Sequence, residues 1–103
     1  MKTFRDYHGQ SIRLTQERQK HILEHPEMRG MLSRIKETLA GPQRVIQSLS
    51  DKDANLYYRF YIGTKVGDKY LCVVVKTVKK DSFVLTAYLT DSVKKGEIVW
   101  LRK

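Results

Sequence analysis

Two histidines four residues apart, His21 and His25, lie in the stretch HILEHPE and can exchange protons near neutral pH. Glu24 can orient either ring. The spacing H-x-x-E-H also occurs in one class of zinc peptidase. Here Pro26 interrupts the helix face that would hold the metal, and no third ligand follows in a second motif. The expectation is therefore no metal site and no cofactor. The pair reads as an acid and a base or, more plainly, as one ring packed under a sheet edge and one solvated at a helix end.

Further along, cations and hydroxyls alternate with aromatic rings: Tyr57, Arg59 and Tyr61, then Tyr70 and Lys76, then Thr86, Tyr88 and Thr90. Metal-free RNA cleavage needs an activated 2′-hydroxyl, a proton for the leaving 5′-oxygen, and cations or donors on the phosphate as charge builds. Each part has a candidate. His21 or His25 would act as base or acid, Arg59 and Lys76 as phosphate clamps, and Thr86, Tyr88 and Thr90 as hydroxyl donors. Arginine suits the clamp because its planar fork binds two oxygens at once. Tyr57, Tyr61 and Tyr70 offer rings on which unpaired bases stack. A plainer account is a half-solvated sheet, since aromatics are favoured in strands. A third is a docking face for a partner protein or a second copy.

Charge supports a polyanionic partner. Twenty Lys and Arg against eleven Asp and Glu give a net charge of +9, a positive potential over much of so small a surface. Solubility is the bland alternative. A membrane is not expected as a partner, because no basic amphipathic helix with an exposed apolar face can be drawn. No apolar run is long enough for a signal or a span. The single cysteine, Cys72, sits in an apolar run without a disulfide partner, which points to a reducing, cytoplasmic setting. The 103 residues allow one core and hence one domain. Either a monomer or a homodimer fits this size.

The elements that must position these groups follow from period and punctuation. Residues 1–11 form an N-terminal arm, 12–41 a helical part and 42–103 a sheet. Thr15 N-caps a first helix that runs to about His25, where Pro26 forces a turn. A second helix restarts near Glu27 with Met28, Met31, Leu32, Ile35 and Leu39 at three- and four-residue spacing, and Gly41-Pro42 ends it. The period then changes to two, giving strands near 44–49, 56–62, 70–77 and 83–90 joined by hairpin-length connections. Asp91 would cap one helical turn through Lys95, and Ile98 to Leu101 would add a short edge strand. The expected fold is α+β: two N-terminal helices on one face of a four-stranded antiparallel meander. Alternation assigns Tyr58, Phe60, Ile62, Leu71, Val73, Val75, Phe83, Leu85, Ala87 and Leu89 to the face beneath the helices. The polar and phenolic positions take the open face.

The segments RLTQERQKHILEHPEM, ETLAGPQRVIQS, YYRFY, YLCVVVK and FVLTAYLTD, in that order, resemble the phage-type barnase-EndoU-colicin-RelE nucleases over about residues 11–100. The resemblance implies N-terminal helices against a four-stranded antiparallel sheet, and metal-independent ribonucleases that are often toxins or mobile-element proteins. It implies RNA as substrate and, for a toxin, an antitoxin or inhibitor protein as partner. By position, His21 and His25, the strand with Arg59, Lys76, and the TAYLT strand match segments where such families keep functional groups. It also leaves room for a non-catalytic nucleic-acid-binding or partner-docking module on the same fold.

Overall fold

A computed structural model describes residues 1–103. In chain order the elements are β1 (Lys2–Arg5), β2 (Ser11–Leu14), α1 (Gln16–Leu23), a 3-10 turn (Pro26–Met28), α2 (Leu32–Ala40), β3 (Arg44–Gln47), β4 (Ala54–Thr64), β5 (Gly67–Val78), β6 (Asp81–Thr90) and β7 (Glu97–Leu101). All seven strands join one sheet in the order β1-β2-β6-β5-β4-β3-β7. Neighbours are antiparallel except β2 and β6, which run parallel.

The expected four-stranded antiparallel sheet is thus incorrect. Strands β3 to β6 do form a meander, but as the middle of a mixed sheet. The N-terminal arm is the main source of the difference. The Asp6 carboxylate accepts from the backbone N–H groups of His8 and Gln10 at 3.0 and 2.8 Å, closing a turn that pairs β1 with β2. Strands of four residues carry too few alternations to announce themselves. At the other end, residues 91–96 form no helical turn, and Glu97–Leu101 pairs with β3 as the seventh strand.

Thr15 caps α1 by accepting from the Arg18 N–H at 3.2 Å. The second helix begins at Leu32 and not near Glu27, because Gly30 takes a left-handed φ of +79°. Met28 and Met31 are buried all the same. They join Ile35 and Leu39 of α2 over Leu71, Val73 and Val75 of β5.

The face assignment of β4 is also reversed. Tyr57 pairs with Val73 and Arg59 with Leu71, so Tyr57, Arg59 and Tyr61 share the helical face, while Tyr58 and Phe60 take the outer one. A shift of one residue moves every side chain of a strand across the sheet. In β6, a bulge at Leu85 sends that residue outward and leaves Val84 and Ala87 inside.

The sheet curls around α2. Tyr7, just past β1, stacks 4.7 Å from Trp100 of β7, although these strands stand at opposite ends of the sheet order. Its N–H donates to the Leu39 carbonyl at 2.9 Å, tying the seam to the helix. On the outer side, residues 91–96 cross from β6 to β7 as a strap. The Lys94 N–H donates to the Tyr58 hydroxyl at 3.1 Å, and Val93 packs on the cluster of Ile46, Leu56, Tyr58, Cys72 and Val74.

At Gly96 a Cβ would stand 2.4 Å from the Gln47 carbonyl oxygen and 2.5 Å from Ile46 Cγ2. Gly96→Ala is therefore expected to lower stability by about 1–3 kcal/mol in urea unfolding, through overpacking. The β5–β6 turn carries the opposite opportunity. Lys79 and Lys80 hold φ values of +50° and +66°, a conformation that costs a residue with a Cβ about 1–2 kcal/mol. Lys80→Gly should raise stability by about 1 kcal/mol in the same measurement.

Candidate nucleic-acid interface

Helix α2 places Arg34, Glu37, Thr38 and Gly41 at positions i, i+3, i+4 and i+7, on one stripe. That stripe lies against Tyr61 and Arg59 of β4. The Tyr61 hydroxyl donates to Glu37 Oε1 at 2.7 Å, with the Arg34 carbonyl and the Thr38 hydroxyl each 3.3 Å away. Arg34 and Arg59 both lie near the Tyr61 ring, at 5.0 and 5.8 Å from its centroid. Arg59 Nε is 3.7 Å from Glu37 Oε1, and its Nη1 donates to the Gly41 carbonyl at 2.7 Å. Arg102 donates to the same carbonyl oxygen, also at 2.7 Å. Burial, and then the Glu37 carboxylate against an opposing Thr38 contact, push Tyr61 up to about 12. Its hydroxyl is therefore a proton donor throughout the neutral range.

Beyond Arg34 the surface opens into a groove of about 380 Å³, lined by Arg29, Gly30, Met31 and Arg34 on one side and Gly63, Thr64 and Lys65 on the other. No carboxylate lines it. The histidines stand at the same end of the sheet. Arg18 of α1 reaches the Leu85 carbonyl of β6, and His25 stands just before the 3-10 turn that leads to Arg29 on the groove wall. His21 and His25 are exposed with rings edge-on at 6.1 Å, and His25 Nδ1 lies 3.7 Å from Glu27 Oε1.

The structure does not bring all the sequence-derived candidates together. Arg59 and Tyr61 are on the helical face. Tyr57 is also there, but only 3% exposed, with its hydroxyl donating to buried Asp6 at 2.7 Å. Lys76, Tyr70, Thr86, Tyr88 and Thr90 lie on the outer face. Lys76 Nζ pairs with Asp51 at 2.9 Å, raising the lysine and lowering the carboxyl. The Tyr88 hydroxyl is buried without a hydrogen-bond partner. Burial, first among several causes, pushes it up. Thr90 Oγ1 turns to the backbone of Ser92 at the start of the strap. Arg34, Glu37 and Arg102 were not singled out from sequence. The first two are visible there as a polar stripe opposite Ile35 and Leu39, whereas Arg102 follows the last strand with nothing to mark it.

The result is one open, mostly cationic strip. It runs from Lys65 and Arg29 through Arg34, Tyr61 and Arg59 to Arg102, with Glu37 as the carboxylate at its centre. The sequence profile of the family described as phage-Barnase-EndoU-ColicinE5/D-RelE like nuclease2 matches residues 1–102. The chain belongs to that family. No curated protein and no solved structure matches the chain. Membership places the chain in a nuclease family, which suggests nucleic acid as the substrate class. No helix is long and apolar enough to cross a membrane.

If the strip tracks phosphates, binding of a non-cleavable single-stranded oligonucleotide should weaken with salt. The slope of log K against log salt should fall by about 0.7 for each of Arg34→Ala and Arg59→Ala. Glu37→Gln should tighten binding. Fluorescence anisotropy over a salt series measures all three.

Proposed function

We propose that the chain is a metal-independent endoribonuclease that cleaves RNA through attack of the 2′-hydroxyl on the adjacent phosphate. The observation that carries this reading is the meeting of two guanidinium groups, a carboxylate and a phenol on one open surface, around Tyr61 and Glu37. Arg34 and Arg59 hold the phosphate and offset its growing charge. Glu37 takes the proton of the 2′-hydroxyl as the new oxygen–phosphorus bond forms. The Tyr61 hydroxyl donates to Glu37 Oε1 and holds the carboxylate in place. The bond to the 5′-oxygen breaks, and that oxygen takes its proton from His21 or His25 at the groove end. The products are a 2′,3′-cyclic phosphate and a 5′-hydroxyl. A nuclease that works on RNA of its own cell needs restraint. The net charge of +9 suits an acidic inhibitor protein, which fits a toxin or a mobile-element protein.

The test is incubation of the purified chain with total RNA in EDTA, with analysis of the ends. Cleavage should persist in the chelator and leave cyclic phosphate. Arg59→Ala and Glu37→Gln should each lower the rate by about 100-fold or more with the circular dichroism unchanged. Lys76→Ala, on the far face, should stay within about threefold of the parent. Binding without cleavage in the parent chain would support a non-catalytic nucleic-acid module, and cleavage lost in EDTA would remove metal independence.

A further inference from the structure

A second cavity, of about 300 Å³, lies at the seam where the curled sheet nearly meets itself, and the strip just described does not use it. Its walls come from three distant parts of the chain: Tyr7, His8 and Gln10 from the β1–β2 turn, Asn55 from the start of β4, and Val99 and Trp100 from β7. Its floor is fixed. Asp6 and Tyr57, 7% and 3% exposed, are joined by a 2.7 Å hydrogen bond, and Tyr57 meets the Tyr7 ring edge-on at 5.9 Å.

The geometry points to a pocket for an unpaired nucleobase of the RNA chain. This rests on the ribonuclease reading above and extends it to base recognition. Three features support it. The Tyr7 and Trp100 rings, 4.7 Å apart, are both partly exposed and present aromatic surface against which a flat heterocycle can pack. The Asn55 amide makes no hydrogen bond within the protein, although Gln47, opposite it on β3, does. It therefore keeps a donor and an acceptor side by side, the pattern that pairs with a base edge. The third feature is position. Arg102, two residues beyond Trp100, shares the Gly41 carbonyl with Arg59, so a chain whose phosphate lies on the strip can set a neighbouring base in the seam. A half-buried amide with no partner in the protein keeps its hydrogen-bonding capacity for a ligand.

The chain holds one tryptophan, and it is Trp100, so its fluorescence reports the pocket directly. Titration of the parent chain with AMP, GMP, CMP and UMP should give saturable quenching by at least one of them. Ribose 5-phosphate, which lacks the base, should give none. Asn55→Ala should weaken the best nucleotide by roughly fivefold to tenfold. A non-cleavable 2′-O-methyl oligonucleotide of that base should bind tighter than the mononucleotide, and Arg102→Ala should erase the difference. Quenching by ribose 5-phosphate equal to that by nucleotides, no quenching at all, or full affinity in Asn55→Ala would overturn the pocket. Equal affinity for oligonucleotide and mononucleotide would also overturn it, assigning the site to free nucleotides. The two readings fail separately: loss of RNA cleavage with base-dependent quenching intact supports the pocket and removes the nuclease, whereas cleavage without quenching does the reverse.

Discussion

The hydrogen bond from Tyr57 to the buried carboxylate of Asp6 decides which way β4 faces. In the run YYRFY every position is aromatic or long, so alternation offers two registers of similar apolar content. Polar destination separates them. Inward, Tyr57 finds Asp6 at 2.7 Å, while Asp6 already holds the β1–β2 turn through two backbone donors. Outward, the ring would leave a buried carboxylate short of a donor, a penalty of about 1–3 kcal/mol or more for a charged group. In a small domain that is a sizeable part of the whole stability. The same contact gathers β1 to β4 and, through Tyr7 and Trp100, to β7. It thereby closes the seam.

Once β4 faces that way, Arg59 and Tyr61 must lie beside α2, and the electrostatics of the strip follow. The carbonyl end of a helix carries partial negative charge, and at Gly41 it draws the Arg59 and Arg102 guanidiniums onto one oxygen. A neutral carbonyl cannot balance two cations. Glu37 is the one carboxylate placed to do so, and it is shared with the Tyr61 hydroxyl. The groove beyond, with Arg29, Arg34 and Lys65, has no acidic residue in its walls. Positive potential is thus concentrated where the surface is concave, which is where a polyanion gains most.

Local chemistry of this kind is legible in sequence, and long-range pairing is not. Thr15, Pro26 and Gly41-Pro42 act within one turn of themselves, and they bound the first helix and end the second close to where expected, although the second starts later. The strands of the central meander announce themselves through runs of β-branched and aromatic residues. Gly30 looks like any glycine in a helical pattern, and only its left-handed φ reveals that Met28 and Met31 pack from a turn. The pairing of β2 with β6 joins residues about seventy apart, and no local signal encodes it. The candidate site shows the same division. Arg59 and Tyr61 stand out by type, but their face depends on Asp6, and the α2 residues that complete the strip were hidden behind the apolar stripe that drew attention to the helix.

The outer face is closed by a constraint of length. To pass from the end of β6 to the start of β7, the strap must cross β5, β4 and β3 and travel back along the strands, a diagonal of about 25 Å at ordinary spacings. Seven peptide steps span about 25 Å when extended. There is little slack, so the strap lies flat, its backbone binding Tyr58 and its glycine pressed on Gln47 and Ile46. Beneath it, burial pushes Tyr58 up to about 12 and raises Cys72 as well, which keeps both groups protonated and quiet. Tyr58 and Tyr88 thus differ from Tyr61 through the geometry of a six-residue connection. Those under the strap hold the sheet together, and Tyr61, on the face the strap does not reach, keeps its hydroxyl beside charged groups and open water.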